Sequence, residues 1–337
     1  MQSPRTTIIV TQRERFSLYQ SSLASLYETN EPFDLIYVDM ASPQAIKNQI
    51  ERDADERGFR VIRLDQIVSQ NAARNIALEY THTELVAFVD NDVFMSNGWL
   101  EELIDCADAT GAALVGPITM EGTAESGIVH FIAGDAHIDH TERGNYFVRS
   151  HPFVRGHISA VNALSLGRQK TEALEFHCLL VRRSLFDRIG YLDEGLATFA
   201  DHDDLCMMAG RIGEQVYAET ATVARYNNSV PLLWCDVFYF LLRWCANSTR
   251  KTMKQFADKH QLAADDPYRK SMFNWVMKHH KELLFPPMGG PLITAVVRMA
   301  LEVVTDISSY FPPKPVNITL YSHPKHAKQA VPAQAVR

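Results

Sequence analysis

Two aspartates separated by one residue follow an apolar segment in the first third of the chain. Asp90 and Asp92 flank Asn91 in the stretch VAFVDND. Two carboxylates at this spacing can bind one hard divalent cation, and Mg²⁺ or Mn²⁺ bound in this way commonly completes its coordination shell with substrate phosphates. Aspartate and asparagine are also typical turn residues. The spacing therefore indicates either a metal site or a polar turn.

A second acidic group, Asp201-His202-Asp203-Asp204, precedes the helical pattern LCMMAG. A carboxylate or an imidazole at such a position can take the proton from an attacking hydroxyl group. The ordinary pKa of a histidine, ~6.5, suits that task. Acidic side chains also stabilise the first turn of a helix, so the group indicates either a general base or a helix start.

Strands and helices alternate along the first third of the chain. The apolar segments TTIIVT, FDLIYVDM, FRVIRL, ELVAFVD and AALVGP are strand-like, and segments with helical spacing of apolar residues separate them. This alternation predicts an α/β fold with a doubly wound, mostly parallel sheet. Ligands of such sheets bind beyond the carboxyl ends of the strands. The predicted strand ends place four polar side chains at that edge: Thr11, Asp39, Asp90 and Asp92.

The rest of the chain is less regular at first and then becomes helical. Residues 117–172 are rich in glycine and histidine and predict an inserted loop region over the same edge. A helix ending at Gly213 is predicted next, followed by two short strands, QVYAET and TVARY. From about Pro231 the pattern changes to long helices. We therefore expect an α/β domain over residues 1–228 and a helical C-terminal region with a loose tail over residues 229–337.

Composition restricts the classes of function. The formal net charge of -7 argues against a nucleic-acid partner. None of the five cysteines forms a C-x-x-C pair, and scattered cysteines are typical of a reducing compartment. Charged residues interrupt the most apolar late segments, which predicts core helices and leaves a peripheral membrane face as an alternative. We expect a cytoplasmic protein, with contact at the inner membrane face left open.

The joint order of several motifs closely resembles that of bacterial family 2 glycosyltransferases, which have the GT-A fold. These motifs are Asp39, NAARN, FVDND, FHCLLVRR, YLDEG and DHDDLC, and the resemblance covers residues 6–228 approximately. The short D-N-D motif alone would be weak evidence. The resemblance implies that residues 1–228 form a GT-A catalytic domain that binds a nucleotide sugar.

By this resemblance, five residues are expected at the nucleotide. Thr11 and Asp39 match the positions that hold the base. Arg74 and Asn75 match an Arg-Asn pair near the nucleotide, and Asn71 lies where the family often has another polar contact. Purely structural roles are also open to three of them, since Asp39 could cap a turn, Arg74 could form a surface ion pair, and Asn75 could bond a neighbouring loop backbone.

The resemblance also assigns the diphosphate and the sugar. Asp90 and Asp92 are expected to bind the diphosphate through a divalent cation, Mn²⁺ or Mg²⁺. The family often has a late histidine as a further metal or phosphate contact, but this chain has Arg225 in that region, which we expect to face phosphate directly. Glu175 and His177 are expected to contact the sugar, the acceptor or the metal.

The general base of the family is usually the second residue of an E-D-x-D element. Here Asp201 aligns with the glutamate of that element and His202 aligns with its first aspartate, which is a departure. Either His202 is the base, or Asp201 is the base and His202 orients another group.

The resemblance implies a hexosyltransferase-type enzyme of polysaccharide or glycan biosynthesis. It would move a sugar from a nucleotide-diphosphate sugar to a glycan, lipid-linked or other hydroxyl acceptor, with inversion expected. A nucleotidyltransferase is an alternative, although that class usually has a glycine-rich basic loop after the first strand, and VTQRERF has no glycine. A catalytically degenerate sugar-nucleotide-binding relative would explain the departures at His202 and Arg225.

Overall fold

The computed structural model describes residues 3–123, 128–150, 159–226, 230–281, 291–308 and 315–321. The strands are β1 Thr6–Thr11, β2 Phe33–Met40, β3 Arg60–Leu64, β4 Leu85–Asp90, β5 Val93–Met95, β6 Leu114–Glu121, β7 Ile128–Phe131, β8 Asp135–Thr141, β9 Gly144–Ser150, β10 Gln169–Lys170, β11 Cys178–Arg182, β12 Val216–Tyr226 and β13 Ile318–Tyr321. The helices are α1 Tyr19–Leu26, α2 Gln44–Arg57, α3 Gln70–Leu78, α4 Trp99–Thr110, α5 Ala160–Leu164, α6 Ser184–Ile189, α7 Asp201–Arg211, α8 Trp234–Arg243, α9 Ala246–Lys259, α10 Pro267–Lys281 and α11 Pro291–Ser308.

The central sheet has the strand order β10-β12-β6-β11-β4-β1-β2-β3-β13. β1 pairs in parallel with β2 and β4, β2 pairs in parallel with β3, and β6 pairs in parallel with β12. β11 lies between β4 and β6 and runs antiparallel to both, and β13 runs antiparallel to β3. The predicted α/β fold with a mostly parallel sheet is confirmed.

Apolar side chains cover both faces of this sheet, as expected for parallel strands buried between helices. Ile8 and Val10 of β1 belong to a core that includes buried residues of α1, α2 and α4. Ile9 belongs to a second core, with buried residues of α3, α6 and α7. This opposite placement follows from the two-residue period of a strand.

The helices after β12 contribute to a third core, and Tyr239 of α8 also joins the core that contains Ile9. The third core joins Phe147 of β9 and Phe199 with Trp244, which follows α8, and with Phe256 of α9. Within the residues described above, no helix combines the length and the apolar character needed to cross a membrane. The division at 228/229 stays a proposal, because that boundary and the tail after 321 lie outside the described residues.

Two local predictions were wrong. Much of the stretch 117–172 is not loop, since it contains the end of β6, strand β7, the antiparallel β8–β9 pair, helix α5 and β10. Its polar, histidine-containing strands lack the apolar runs from which the other strands were predicted. The two short strands predicted near the end of the domain are a single strand, β12, whose pairing with β6 shifts register between Glu219 and Val223.

Candidate active site

The carboxyl ends of β1, β2 and β4 meet at one edge of the sheet and carry the predicted polar residues. The backbone oxygen of Thr11 accepts a hydrogen bond from the backbone N–H of Asn91 at 3.0 Å, which joins the ends of β1 and β4. The Asn91 side chain accepts from the backbone of Arg13 at 2.8 Å and donates to the backbone oxygen of Arg15 at 2.8 Å. Asn91 therefore fixes the loop after β1 against the D-N-D segment.

Asp90 is fully buried among positively charged and polar groups. Its Oδ2 lies 2.8 Å from Arg13 Nη1 and 3.4 Å from His177 Nδ1, and its Oδ1 lies 3.4 Å from Arg74 Nη2 and 3.3 Å from Gln70 Nε2. Burial by itself would raise the pKa of Asp90, but Arg13, His177 and Arg74 bring it well below its usual range. Asp90 is therefore a carboxylate in this arrangement.

Asp92 has the opposite electrostatic environment. The residue is 5% exposed, and its Oδ1 is buried without a hydrogen bond. Burial raises the pKa of Asp92 to about 7, and the neighbouring carboxylates of Glu14 and Asp90 add to the effect. A buried carboxylate that lacks a partner is costly, and a divalent cation would supply the missing positive charge. This oxygen fits a metal ligand.

Arg74 and Asp201 form a buried ion pair, with 2.7 Å between Nη1 and Oδ2. The Arg74 guanidinium also lies 3.7 Å from the centre of the Phe176 ring, so it is held on one side by a carboxylate and on another by an aromatic face. The alternative of a surface ion pair for Arg74 is wrong, because the residue is 0% exposed. The pair connects α3 to the first residue of α7.

His202 lies between acids and a cation. Its Nδ1 is 3.4 Å from Asp201 Oδ1, and its Nε2 is 3.0 Å from Arg149 Nη2 and 3.6 Å from Asp203 Oδ1. Burial opposes charge on His202, but Asp203 and Asp201 raise its pKa above the ordinary value. Arg149 can donate to Nε2 only while that nitrogen is unprotonated, so a proton taken up there would break this contact.

The backbone before α7 is strained. Ala200 has a φ of 64°, a value that side chains other than glycine adopt rarely. Burial would raise the pKa of the adjacent Asp201, but His202 and Arg74 bring it well below its usual range. Strain of this kind occurs where surrounding contacts hold a residue in a required place. The carboxylate of Asp201 is thus ionised and held rigidly at the edge of the site.

The predicted nucleotide residue at the end of β2 makes local hydrogen bonds. Asp39 Oδ1 accepts from Gln12 Nε2 at 3.2 Å and from the backbone of Ser42 at 3.1 Å. Asp39 Oδ2 accepts from Arg63 Nε at 2.8 Å. Asp39 therefore stabilises the turn after β2, which is the structural role that the sequence left open for it. It also lies at the same edge of the sheet as Thr11.

The two asparagines of α3 hold the segment that leads toward α7. Asn75 donates to the backbone oxygen of Leu192 and accepts from its N–H, at 2.9 and 3.0 Å. Asn71 donates to the backbone oxygen of Asp193 at 2.9 Å and accepts from Arg74 Nη1 at 3.0 Å. These contacts position Arg74 and the backbone that precedes Asp201, so both amides have structural partners.

Glu175 and His177 lie beside Asp90 together with His130, a residue absent from the predicted site. One potential ligand atom of each of His130, Glu175 and His177 lies within 4.8 Å of the others. Glu175 Oε2 and His177 Nδ1 are buried without a hydrogen bond. Burial, with Arg13, lowers the pKa of His177, so its imidazole is neutral at pH 7 and can serve as a ligand.

The end of β12 completes this group. The ring of Tyr226 stacks on His177 with 4.4 Å between centroids, and its hydroxyl donates to Glu121 at 2.9 Å. The neighbouring Arg225 has a buried Nε without a hydrogen bond. Arg225 pairs through its backbone with Phe94 of β5, close to the D-N-D segment. A phosphate would satisfy the Arg225 donor, although the structure does not bring it into contact with Asp90 or Arg74.

Four residues that contact the site were not predicted from the sequence: Arg13, Gln70, His130 and Arg149. Arg13 follows β1. A basic residue after a strand that ends at the same edge as the predicted acid pair was a signal from which Arg13 could have been predicted. His130 lies on β7 and Arg149 on β9, in the region mistaken for loop. Their contribution depends on how those strands cross the sheet edge, which local sequence does not reveal.

Several known proteins are similar to this chain. The family model of glycosyl transferase family 2 matches residues 6–190. The uncharacterized protein y4gI of Sinorhizobium fredii is 29% identical over 226 residues, which are 63% of this chain and 23% of that protein. This chain thus matches about a quarter of the relative's length.

Two solved structures share the fold at low sequence identity. The structure of GalNAc-T7 with UDP, GalNAc and Mn²⁺ is 12% identical, with a TM-score of 0.51 over 84% of this chain and 59% of that one. Mannosyltransferase PcManGT from Pyrobaculum calidifontis, in complex with GDP-Man and Mn²⁺, is 14% identical, with a TM-score of 0.50 over 93% and 89%. The family match extends over more than half of this sequence. This chain belongs to glycosyl transferase family 2 and has the GT-A fold.

Proposed function

We propose that this protein transfers a sugar from a nucleotide-diphosphate sugar to a hydroxyl acceptor with the help of a divalent metal ion. The observation that carries the proposal is the pair of buried carboxylates at the end of β4. Asp90 is compensated by arginines, whereas Asp92 keeps one buried oxygen without a partner. A protein that bound no cation would have little reason to keep the second carboxylate there.

The metal would be held by Asp90 and Asp92, with His130, Glu175 and His177 as a neighbouring group of possible ligands. Once bound, Mn²⁺ or Mg²⁺ supplies positive charge to a diphosphate leaving group. His177 connects the two groups, since its Nδ1 lies 3.4 Å from Asp90. The presence of Mn²⁺ in the two structures that share the fold supports this part of the proposal.

The protein's own residues would do the remaining work. Thr11, Asp39 and the loop after β1 would bind the nucleotide, and Arg225 would meet a phosphate oxygen. Arg74 would hold Asp201 and, through it, His202. The acceptor hydroxyl would lose its proton to one of these two residues as it attacks the anomeric carbon, which gives inversion.

The donor would be a nucleotide sugar, such as the GDP-Man bound to PcManGT, and the acceptor a glycan, a lipid-linked glycan or another hydroxyl compound. The proposal further includes that the transferred sugar is a hexose and that the reaction belongs to polysaccharide or glycan biosynthesis. The location, cytoplasmic with or without contact at the inner membrane face, belongs to the same proposal.

The test is a thermal-shift panel of UDP-, GDP-, dTDP- and CMP-sugars with Mn²⁺ or with a chelator. A ligand that binds the native state raises the melting temperature by mass action. We expect one nucleotide family to shift the melting temperature only when metal is present, and to be turned over with a suitable acceptor. If no nucleotide sugar gave a metal-dependent shift in folded protein, the proposal would be wrong.

A catalytically degenerate sugar-nucleotide-binding protein is the second candidate. The contact between Arg74 and Asp201 Oδ2 favours it, because that oxygen is already engaged in an ion pair. Metal-dependent nucleotide binding without hydrolysis or transfer, across a broad acceptor panel, would support this candidate over the first.

A further inference from the structure

A cleft between α9 and α10 lies apart from the donor site and has an unusual lining. Its volume is about 440 Å³. The residues that line it are two apolar ones and four basic ones: Met253, Phe273, Arg250, Lys254, Arg269 and Lys270. On both α9 and α10 the lining residues lie about one turn apart. The cleft is therefore formed by one surface of each helix.

The positive charge of this cleft is poorly compensated. Lys254 forms an ion pair with Asp258, whereas Arg250, Arg269 and Lys270 have no carboxylate partner among the residues that the structure describes. Arg250 and Lys254 are four residues apart on α9, a spacing at which like charges repel. In a chain with a net charge of -7, such a concentration of cations favours an anionic ligand.

The apolar part of the cleft makes the ligand class more specific. Met253 is 6% exposed and belongs to the third core, and Phe273 is half-buried. The Arg250 guanidinium lies 5.1 Å from the centre of the Phe273 ring, a cation–π contact that holds the charge at the rim of the apolar surface. A small inorganic anion could satisfy the cations but would leave this apolar surface in contact with water.

We propose that the cleft binds a phosphate group carried on an apolar chain, with the phosphate on the basic rim and the chain against Met253 and Phe273. Arginine and lysine are the usual partners of phosphate oxygens, and the apolar surface gains free energy when a hydrocarbon chain removes it from water. This inference does not depend on the proposed function of the donor site.

The cleft is coupled to the candidate active site through packing. Met253 shares its core with Phe199 and Ala200, the two residues before Asp201. On the same helix, Thr252 accepts a hydrogen bond from the backbone of Thr198 at 3.3 Å. The side chain of Met253 that lines the cleft and the residues just before Asp201 therefore belong to the same apolar cluster.

Calorimetric titration of the full chain with octyl phosphate, octanol and inorganic phosphate tests the proposal. We expect octyl phosphate to bind at least about tenfold more tightly than either partial ligand, because it alone uses the apolar and the basic parts. The variant Arg250→Gln/Arg269→Gln should weaken octyl phosphate binding by about tenfold or more through loss of two phosphate contacts. Circular dichroism checks that the variant is folded. The single variant Lys270→Gln, at an exposed position, removes one charge and should weaken octyl phosphate binding less.

A matched control is Lys47→Gln/Lys170→Gln, which removes the same charge from α2 and β10. We expect the control to keep octyl phosphate affinity within about twofold, as distant surface charges are screened by salt. Equal losses of octyl phosphate affinity in both double variants would show that the loss results from the change in net charge, which would overturn the proposal. Binding of octanol or inorganic phosphate as tight as that of octyl phosphate would overturn it as well.

Discussion

Arg74 Nη1 donates a hydrogen bond to Asp201 Oδ2 at 2.7 Å, between two buried side chains that lie on different helices. The same guanidinium lies 3.4 Å from Asp90 through Nη2. One arginine thus links the D-N-D segment at the end of β4 to the acidic start of α7. Removing the arginine would leave two buried carboxylates with one fewer cation between them.

Replacement of Arg74 by methionine should therefore destabilise the protein strongly. Breaking a buried ion pair by removing one partner costs about 3–5 kcal/mol, and we expect that decrease in the free energy of unfolding, measured by urea denaturation at pH 7. Arg52→Ala serves as the control, because Arg52 is exposed and bonds only Gln49 among the described residues. A decrease below about 1 kcal/mol for Arg74→Met would contradict the importance of the pair.

Replacement of Asp92 by asparagine should separate metal binding from folding. The amide keeps the shape of the carboxyl group but removes a buried charge that lacks a partner, so the chelator-treated variant should be at least as stable as the wild type. With Mn²⁺ and the matching nucleotide sugar at about 100 times the dissociation constant, the wild type should gain about 2.7 kcal/mol. The variant should gain much less in the same thermal-shift assay.

Asp139→Asn is the control for that measurement. The Asp139 side chain is 59% exposed on the β8–β9 pair, so its amide variant should keep the full metal-dependent gain. If Asp92→Asn also kept the full gain, Asp92 would not be a metal ligand.

The pH dependence of turnover should distinguish the two candidate bases. A base must be unprotonated to act. The pKa of Asp201 is far below its usual range, so a reaction that uses Asp201 should show no loss of rate from pH 8 down to pH 5. The pKa of His202 is raised above 6.5 by Asp203 and Asp201, so a reaction that uses His202 should slow as the pH falls through that raised value.

We expect the acid-side loss of rate, because the pKa of His202 is raised above 6.5, whereas that of Asp201 is lowered. His202→Asn should remove that limb of the pH–rate profile along with most of the activity, whereas Asp201→Asn should shift it to lower pH. A flat profile for the wild type between pH 5 and 8 would assign the role to Asp201.

A surface network far from the site gives a prediction about stability and pH. Arg5 bonds Glu84 at 3.0 Å and Asp108 at 2.8 Å, and these bonds lower the pKa of both carboxyl groups. A lowered carboxyl pKa contributes stability above the ordinary pKa and loses it as the pH falls through the folded-state pKa. The network should therefore stabilise the protein at pH 7 and stop doing so at strongly acidic pH.

Arg5→Ala should reduce the free energy of unfolding by only about 0.5–1 kcal/mol at pH 7, because these side chains are partly exposed and screened by solvent. The decrease should become smaller below about pH 4, where the carboxyl groups of the unfolded chain are already protonated. Chemical denaturation of Arg5→Ala at pH 7 and below about pH 4 measures this decrease, with Lys47→Ala as the control. A decrease that grew on acidification would refute the assigned sign.

Local patterns were enough to predict the parallel part of the sheet and the edge of the sheet at which Thr11, Asp39 and Asp90 lie. The strands that end at Thr11 and Asp90 are continuous apolar runs, and such runs bury both faces whatever the rest of the chain does. The acidic start of α7 could also be predicted from a local pattern, because its residues are consecutive in the sequence. The antiparallel β8–β9 pair could not be predicted in this way, because its short, polar strands have no local apolar signal.

Residue types and spacing alone predicted a mostly parallel α/β sheet with acids at its edge, and the resemblance to family 2 glycosyltransferases implied that the sheet has the GT-A form. Tertiary structure alone decided which charge meets which: β11 enters between β4 and β6 and brings His177 to Asp90, and α3 directs Arg74 onto Asp201. It also placed the cations of α9 and α10 around one cleft. The physical reason is that strand and helix periodicity is set by neighbours along the chain, whereas the partners of a buried charge come from elements that pack together from distant parts of it.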